Sequence, residues 1–83
     1  MRNLVKGDTF YEMAGCNVYK YHVIETFEDK NGGLMVIFKY YGKHKRWWHF
    51  RVKKMRDIKT WFDSAFYAFK KEDLKVYKIR KGV

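Results

Sequence analysis

Cationic and aromatic side chains alternate over residues 39–59, and these residue types could do chemistry together. Nine Lys or Arg residues in this stretch stand against a single acid, Asp57. Aromatic residues lie among them, including Tyr40, Tyr41, Trp47 and Trp48. Cations bind phosphates and release counterions, and flat rings stack on bases at about 1–3 kcal/mol each. The pattern predicts a site for a polyanion that also presents groups to stack on.

Catalytic and metal-binding patterns are missing elsewhere in the sequence. Ser64 is the only serine and falls inside a predicted helix, away from a strand-to-helix nucleophile elbow. Cys16 and His22 could form a thiol–histidine pair, but their spacing does not bring them together. One cysteine and three scattered histidines lack the paired spacing of a zinc site. We therefore expect no catalytic residue, no metal, no cofactor and no enzyme activity.

One enzyme class stays open as a third hypothesis, a metal-independent ribonuclease toxin. His49, Arg51 and Tyr41 would then act as base, phosphate clamp and acid. In such toxins helices precede the sheet, and this chain has the opposite order. Binding without catalysis is the preferred interpretation.

The charge of the chain is concentrated in its second half. The formal net charge is +10, made up of −1 over residues 1–38 and +11 over residues 39–83. This asymmetry favours a polyanionic partner, although lysines that only keep the protein soluble would give the same total. A second basic run, at residues 70–81, is interpreted as a solvated helix end followed by a basic edge strand.

Length and cysteine content indicate one intracellular domain. The 83 residues predict a single domain spanning 1–83, and the seventeen aromatic residues can supply its core. Cys16 has no second cysteine to form a disulfide with. No apolar run approaches the roughly 20 residues of a membrane span. We expect a cytoplasmic location, or the host cytoplasm for a viral protein.

Short polar breaks divide the first half into three strands. Thr9–Met13 is a short first strand, followed by residues 18–27, where alternation places Tyr19, Tyr21, Val23 and Phe27 on one face and Lys20, His22 and Thr26 on the other. Residues 34–41 are apolar on both faces, as in a central strand. Asn31-Gly32-Gly33 predicts a hairpin turn between these two strands.

The second half is predicted to add a strand, a helix and a last strand. In residues 46–52, Trp48, Phe50 and Val52 form the expected core face, and Trp47, His49 and Arg51 form the other; the reverse assignment, with Trp47 packed and Trp48 exposed, stays open. A helix is predicted over residues 61–71, with Thr60 as N-cap and Asp63 close to a capping box. Its buried stripe would comprise Trp61, Phe62, Ala65, Phe66 and Phe69. Residues 75–80 would form the last strand.

A family resemblance accompanies this order of elements. Val5-Lys6-Gly7-Asp8-Thr9-Phe10-Tyr11 resembles the opening of SH3-like small barrels, including KOW and Tudor-type modules. The hairpin and Trp47-Trp48 that follow are similar in layout to small phage-encoded proteins of this class, and the resemblance covers residues 4–52. It implies a binding module and, in a phage, a host-takeover factor. The predicted fold is mostly β with one helix (β-β-β-β-α-β), a small bent antiparallel sheet or SH3-like barrel closed by a C-terminal amphipathic helix.

The sequence thus predicts a small basic nucleic-acid-binding module, driven by phosphate contacts, assisted by aromatic stacking and weakly selective for sequence. Its partner would be DNA or RNA. The alternative is a phage-type inhibitor that docks the same patch on an acidic host protein, with Trp47 or Tyr41 as anchor. The predicted binding residues are Lys39, Tyr41, Lys43, Lys45, Arg46, Trp47, His49, Arg51, Lys53, Lys54 and Arg56.

Overall fold

A computed structural model describes residues 1–15, 17–41 and 48–74. The elements are β1 (Thr9–Ala14), β2 (Asn17–Glu28), β3 (Leu34–Tyr41), β4 (Trp48–Lys54), α1 (Met55–Trp61), β5 (Tyr67–Ala68) and a 3₁₀ turn (Lys71–Asp73). The strands form one antiparallel sheet in the order β4-β3-β2-β1-β5. The expected fold class, mostly β with one helix after the fourth strand, is confirmed. The sheet is open, with β4 and β5 as its edges in the described part of the chain.

The hairpin between β2 and β3 forms at the predicted turn. Gly32 has a φ of +78°, which a residue without a Cβ adopts freely. Asp29 accepts hydrogen bonds on Oδ1 from the backbone N–H groups of Asn31 (2.9 Å) and Gly33 (2.8 Å). The aspartate thus closes the turn that sets the register of the two longest strands.

β2 does not keep one alternation along its length, which corrects the predicted faces. A bulge between Val23 and Glu25 shifts the pairing with β3, so that Thr26 pairs with Val36 and Phe27 with Met35. One extra residue reverses which face the following side chains occupy. Phe27 therefore leaves the face of Tyr21 and Val23 and is exposed.

The predicted core face of β4 is also wrong. Phe50 is 65% exposed, Val52 49% and Trp48 36%. β3 sets the orientation, because buried Val36 and Phe38 pair directly with Lys53 and Arg51 and directly paired residues share a face. The charged residues of β4 did not identify its solvent-facing side. Arg51 and Lys53 lie on the core side, and their long side chains reach water because β4 is an edge strand of the described sheet.

The helix starts six residues earlier than predicted. α1 buries Met55 and Ile58 on the sheet, three residues apart on one helical face. Thr60 lies in its last turn, where its hydroxyl donates to the carbonyl of Asp57 (2.6 Å), so it is not an N-cap. The predicted last strand, residues 75–80, lies outside the described residues.

The aromatic residues after α1 are less buried than the predicted stripe requires. Trp61, Phe62 and Phe69 are half-buried against the core, but Phe66 is 42% exposed. The chain here turns into β5, whose two residues pair with β1. The fully buried side chains are instead Leu4, Phe10, Val36, Phe38, Ile58 and Leu74.

A charged turn fastens the N-terminal segment over this core. The Arg2 guanidinium lies 2.7 Å from Asp8, and the Val5 N–H donates to the same carboxylate at 2.8 Å. These bonds hold the pKa of Asp8 below its ordinary value. Leu4 is buried as a result, and Gly7 turns the chain into β1 with a φ of +92°.

Candidate nucleic-acid interface

The two faces of the sheet separate the residues predicted to bind together. We call the side of β2, β3 and β4 that carries Trp48, Phe50 and Val52 the outer face, and the side of the core the inner face. Lys39, Tyr41 and Lys54 lie on the outer face, and His49, Arg51 and Lys53 lie on the inner face. Arg56 lies in α1. Lys43, Lys45, Arg46 and Trp47 fall outside the described residues.

Trp48 is the centre of an aromatic cluster on the outer face. Its ring stacks on Tyr41 with the ring centroids 3.6 Å apart and an interplanar angle of 29°. Lys39 Nζ lies 4.6 Å from the Trp48 ring centroid, and the His22 ring meets it edge-on at 5.6 Å. Tyr41 and Trp48 also pair directly across β3 and β4. The contacts fix both rings at the end of the two strands.

Phe50 lies beside this cluster and is the most exposed large apolar side chain of the described residues. It belongs to a row that crosses four strands, Thr9, His22, Lys39 and Phe50, each paired with the next. No other aromatic ring of the described chain contacts it. Val52 and Phe27 are also exposed on this face, with Val52 two residues along β4 and Phe27 farther away on β2, and Glu25 lies in the same row as Val52. Apolar surface of this kind usually marks a contact site.

The strands that carry the rings have no acidic residue. β3 and β4 contain Lys39, Arg51, Lys53 and Lys54 and no Asp or Glu. The ion pairs of the described residues join Arg2 to Asp8, Lys6 to Glu25 and Arg56 to Asp57. The four cations of β3 and β4 therefore have no carboxylate partner there. Arg56 pairs with its neighbour in sequence, Asp57, which offsets part of its positive charge.

His22 contributes a ring that favours its neutral form. Burial lowers its pKa, and the nearby charges of Lys20 and Lys39 lower the pKa further. Both lysines share the outer face with His22. At neutral pH this ring is part of the aromatic surface and adds no positive charge to it.

The lowered pKa of His22 predicts that the free energy of unfolding is smaller at acidic pH than at neutral pH. Below its ordinary pKa of 6.5 the unfolded chain takes up this proton before the folded chain does. The free energy of unfolding is therefore highest above pH 6.5 and decreases as the pH falls from there through the lower pKa of the folded state. Urea denaturation at pH 7.5 and pH 5.5 should show the loss, and the difference should shrink in His22→Gln. His49→Gln is the matched control, and an equal reduction there would contradict the assignment to His22.

The inner-face residues line a cleft of about 440 Å³. His49 stacks on Tyr40 with ring centroids 5.2 Å apart, and the Arg51 Nε–H donates to the Tyr40 hydroxyl at 3.1 Å. Tyr41, the third residue of the ribonuclease hypothesis, points to the opposite face from His49 and Arg51. Those three side chains therefore do not meet on one phosphate.

Sequence reasoning left His22, Trp48 and Phe50 out of the predicted site: it placed Phe50 on the core face, kept an exposed Trp48 only as the alternative assignment, and gave His22 no role although it placed that ring opposite the apolar face. The sequence of β4 did contain an indication, because the strand has no acid and carries cations on both faces. Charge alone therefore could not identify its solvent-facing side. The register of the pairing with β3, which decides the face, depends on positions that alternation in β4 alone does not fix.

No protein-family model, curated protein or solved structure matches the chain. The resemblance to SH3-like barrels stays a prediction. None of the helices in residues 1–15, 17–41 and 48–74 has the length and hydropathy to cross a membrane. In the same ranges no three His, Cys, Asp or Glu side chains gather as metal ligands would.

Proposed function

We propose that this chain binds single-stranded nucleic acid through the outer face. Phe50 carries the proposal, because its ring is 65% exposed, lies next to Lys39 in the sheet and has no aromatic partner among the described residues. A base stacked on Phe50 would cover apolar surface while its phosphates lie near the cations. Exposed rings on a sheet with flanking Lys and Arg are the combination that single strands require.

A single strand suits this surface better than a duplex does. Bases in a duplex are stacked on each other, so their flat faces are closed to a protein ring. Lys20, Lys39 and Lys54 supply positive charge on the described outer face, where the carboxylate of Glu25 pairs with Lys6. By sequence, Lys43, Lys45 and Arg46 join the strand ends at Tyr41 and Trp48. Since no acid lies in β3 or β4, the charge attracts phosphates of any sequence.

A salt titration separates stacking from charge. Fluorescence anisotropy with labelled mixed-sequence single strands of DNA and RNA gives the affinity at each salt concentration. Phe50→Ala should weaken binding by about 1–3 kcal/mol, or roughly 5- to 150-fold, with an unchanged salt slope. Lys54→Gln should instead reduce the slope by about 0.7. Phe66→Ala is the matched control, since this exposed ring precedes β5 at the opposite edge of the sheet.

The proposal fails if neither DNA nor RNA single strands bind more tightly than about 100 μM at physiological salt, the level of non-specific contact. An acidic protein partner would then be the leading hypothesis, with Phe50 as its apolar anchor. The phage origin and the cytoplasmic location implied by the sequence stay predictions in either case.

A further inference from the structure

The inner-face cleft has one cationic end and one acidic end. Arg51 and Lys53 line it from β4, and Glu12 lines it from β1. In the sheet order β4-β3-β2-β1 these strands are three spacings apart, which is about 14 Å between backbones. The two ends are also offset along the strands, because Glu12 lies opposite Tyr19 and Arg51 lies in the row of Val23. Rings fill the distance between them, including Tyr19, Tyr40 and Trp61. A ligand of this cleft needs an anionic group, a flat body and hydrogen-bond donors, in that order.

The cationic end is suited to a phosphate. Arg51 uses Nε for its bond to Tyr40, and neither Nη atom has a hydrogen bond or ion pair within the described residues. A guanidinium whose two Nη groups are free binds two phosphate oxygens in a fork along that edge. Lys53, two residues along the same strand, faces the same side and adds a second charge.

The acidic end is a carboxylate held in a fixed orientation. The hydroxyl of Tyr21 donates to Oε1 of Glu12 at 2.5 Å, and the hydroxyl of Tyr67 donates to Oε2. Each carboxylate oxygen has a second lone pair that these bonds leave open. Two acceptors side by side match two adjacent N–H donors. Among the bases, guanine has such a pair, in its ring N1–H and its 2-amino group.

We propose that the inner-face cleft is a binding site for a guanine nucleotide, with its phosphate on Arg51 and Lys53, its base against the rings and its N–H edge on Glu12. A cleft of about 440 Å³ is within the usual size of small-ligand sites. The proposal does not depend on the outer face, because the two sets of side chains lie on opposite sides of the sheet.

Calorimetry or tryptophan fluorescence measures the affinity for four probes: GMP, AMP, guanosine and inorganic phosphate. GMP should bind at least tenfold more tightly than each of the others, since they lack the N–H pair, the phosphate or the base. Arg51→Gln should weaken GMP binding at least tenfold. Arg56→Gln removes the same charge in α1, outside the cleft, and should leave it unchanged.

Three results would overturn the assignment. They are no GMP binding at millimolar concentration, inorganic phosphate binding as tightly as GMP, and equal losses in Arg51→Gln and Arg56→Gln. Phe50→Ala should bind GMP like the unmodified chain while losing affinity for single strands. The two proposals can therefore fail separately. If a single strand ending in guanosine phosphate competes with GMP for the cleft, the site accepts a strand terminus. If such a strand does not compete, the site is one for the free nucleotide.

Discussion

Phe10→Ala should lower the free energy of unfolding by about 3–5 kcal/mol, the range for large-to-small changes at buried aromatic positions. Phe10 is fully buried in β1, and its ring stacks on Tyr21 with centroids 4.8 Å apart. It also meets Phe62 at 5.4 Å and Phe38 at 6.1 Å. The cavity left by its removal would therefore lie between β1, β2, β3 and the segment after α1. Chemical denaturation followed by tryptophan fluorescence measures the loss.

The comparison with Phe66→Ala makes this test specific. Phe66 is 42% exposed, so its replacement should cost less than about 1 kcal/mol. If Phe10→Ala leaves too little folded protein, Phe10→Leu keeps most of the volume and should cost less. Equal losses at Phe10 and Phe66 would show that the core is not where the structure places it.

Glu12→Ala should cost about 2–4 kcal/mol, because it leaves two buried or half-buried hydroxyl groups without their acceptor. Tyr21 and Tyr67 both donate to this carboxylate, one to each oxygen. Burial raises the pKa of both tyrosines, and the bond to Glu12 raises the pKa values further. Removal of the carboxylate should therefore lower the pKa of each tyrosine, which ultraviolet absorbance at alkaline pH detects independently of the denaturation experiment.

A double-mutant cycle separates this bond from general packing. Tyr67→Phe removes one donor, so Glu12→Ala should cost less in that background than in the unmodified chain. Glu12→Gln keeps one acceptor oxygen and should fall between the alanine variant and the unmodified chain. Additive effects of Glu12→Ala and Tyr67→Phe would contradict a direct interaction.

The first half of the fold was readable from sequence because its information is local. The predicted strands at residues 9–13, 18–27 and 34–41 match β1, β2 and β3 closely, since turn residues and alternation both mark them. The bulge between Val23 and Glu25 escaped prediction, because the extra residue is defined only by pairing with β3.

The second half failed where long-range contacts override local preference. The aromatic spacing of Trp61, Phe62 and Phe66 fits a helix, yet α1 spans Met55–Trp61, and the residues that it buries in the core are Met55 and Ile58. The candidate site was predicted in part: the basic and aromatic character of residues 39–59 was evident, and Lys39 and Tyr41 lie on the outer face with Trp48 and Phe50. The division of β4 between two surfaces was not predictable, since it depends on the register with β3.

In the described part of the chain β4 is an edge strand of the sheet, so the proposed binding of a polyanion would also bear on self-assembly. An edge strand presents free backbone groups to which another copy can add, and like charges keep copies apart. Arg51, Lys53 and Lys54 supply that repulsion on β4. A single strand on the outer face would neutralise Lys54 and so reduce this repulsion, and concentrated salt would screen all three cations. Copies arrayed along one strand are thus the copies best able to join edge to edge, which would favour cooperative coating of a long strand.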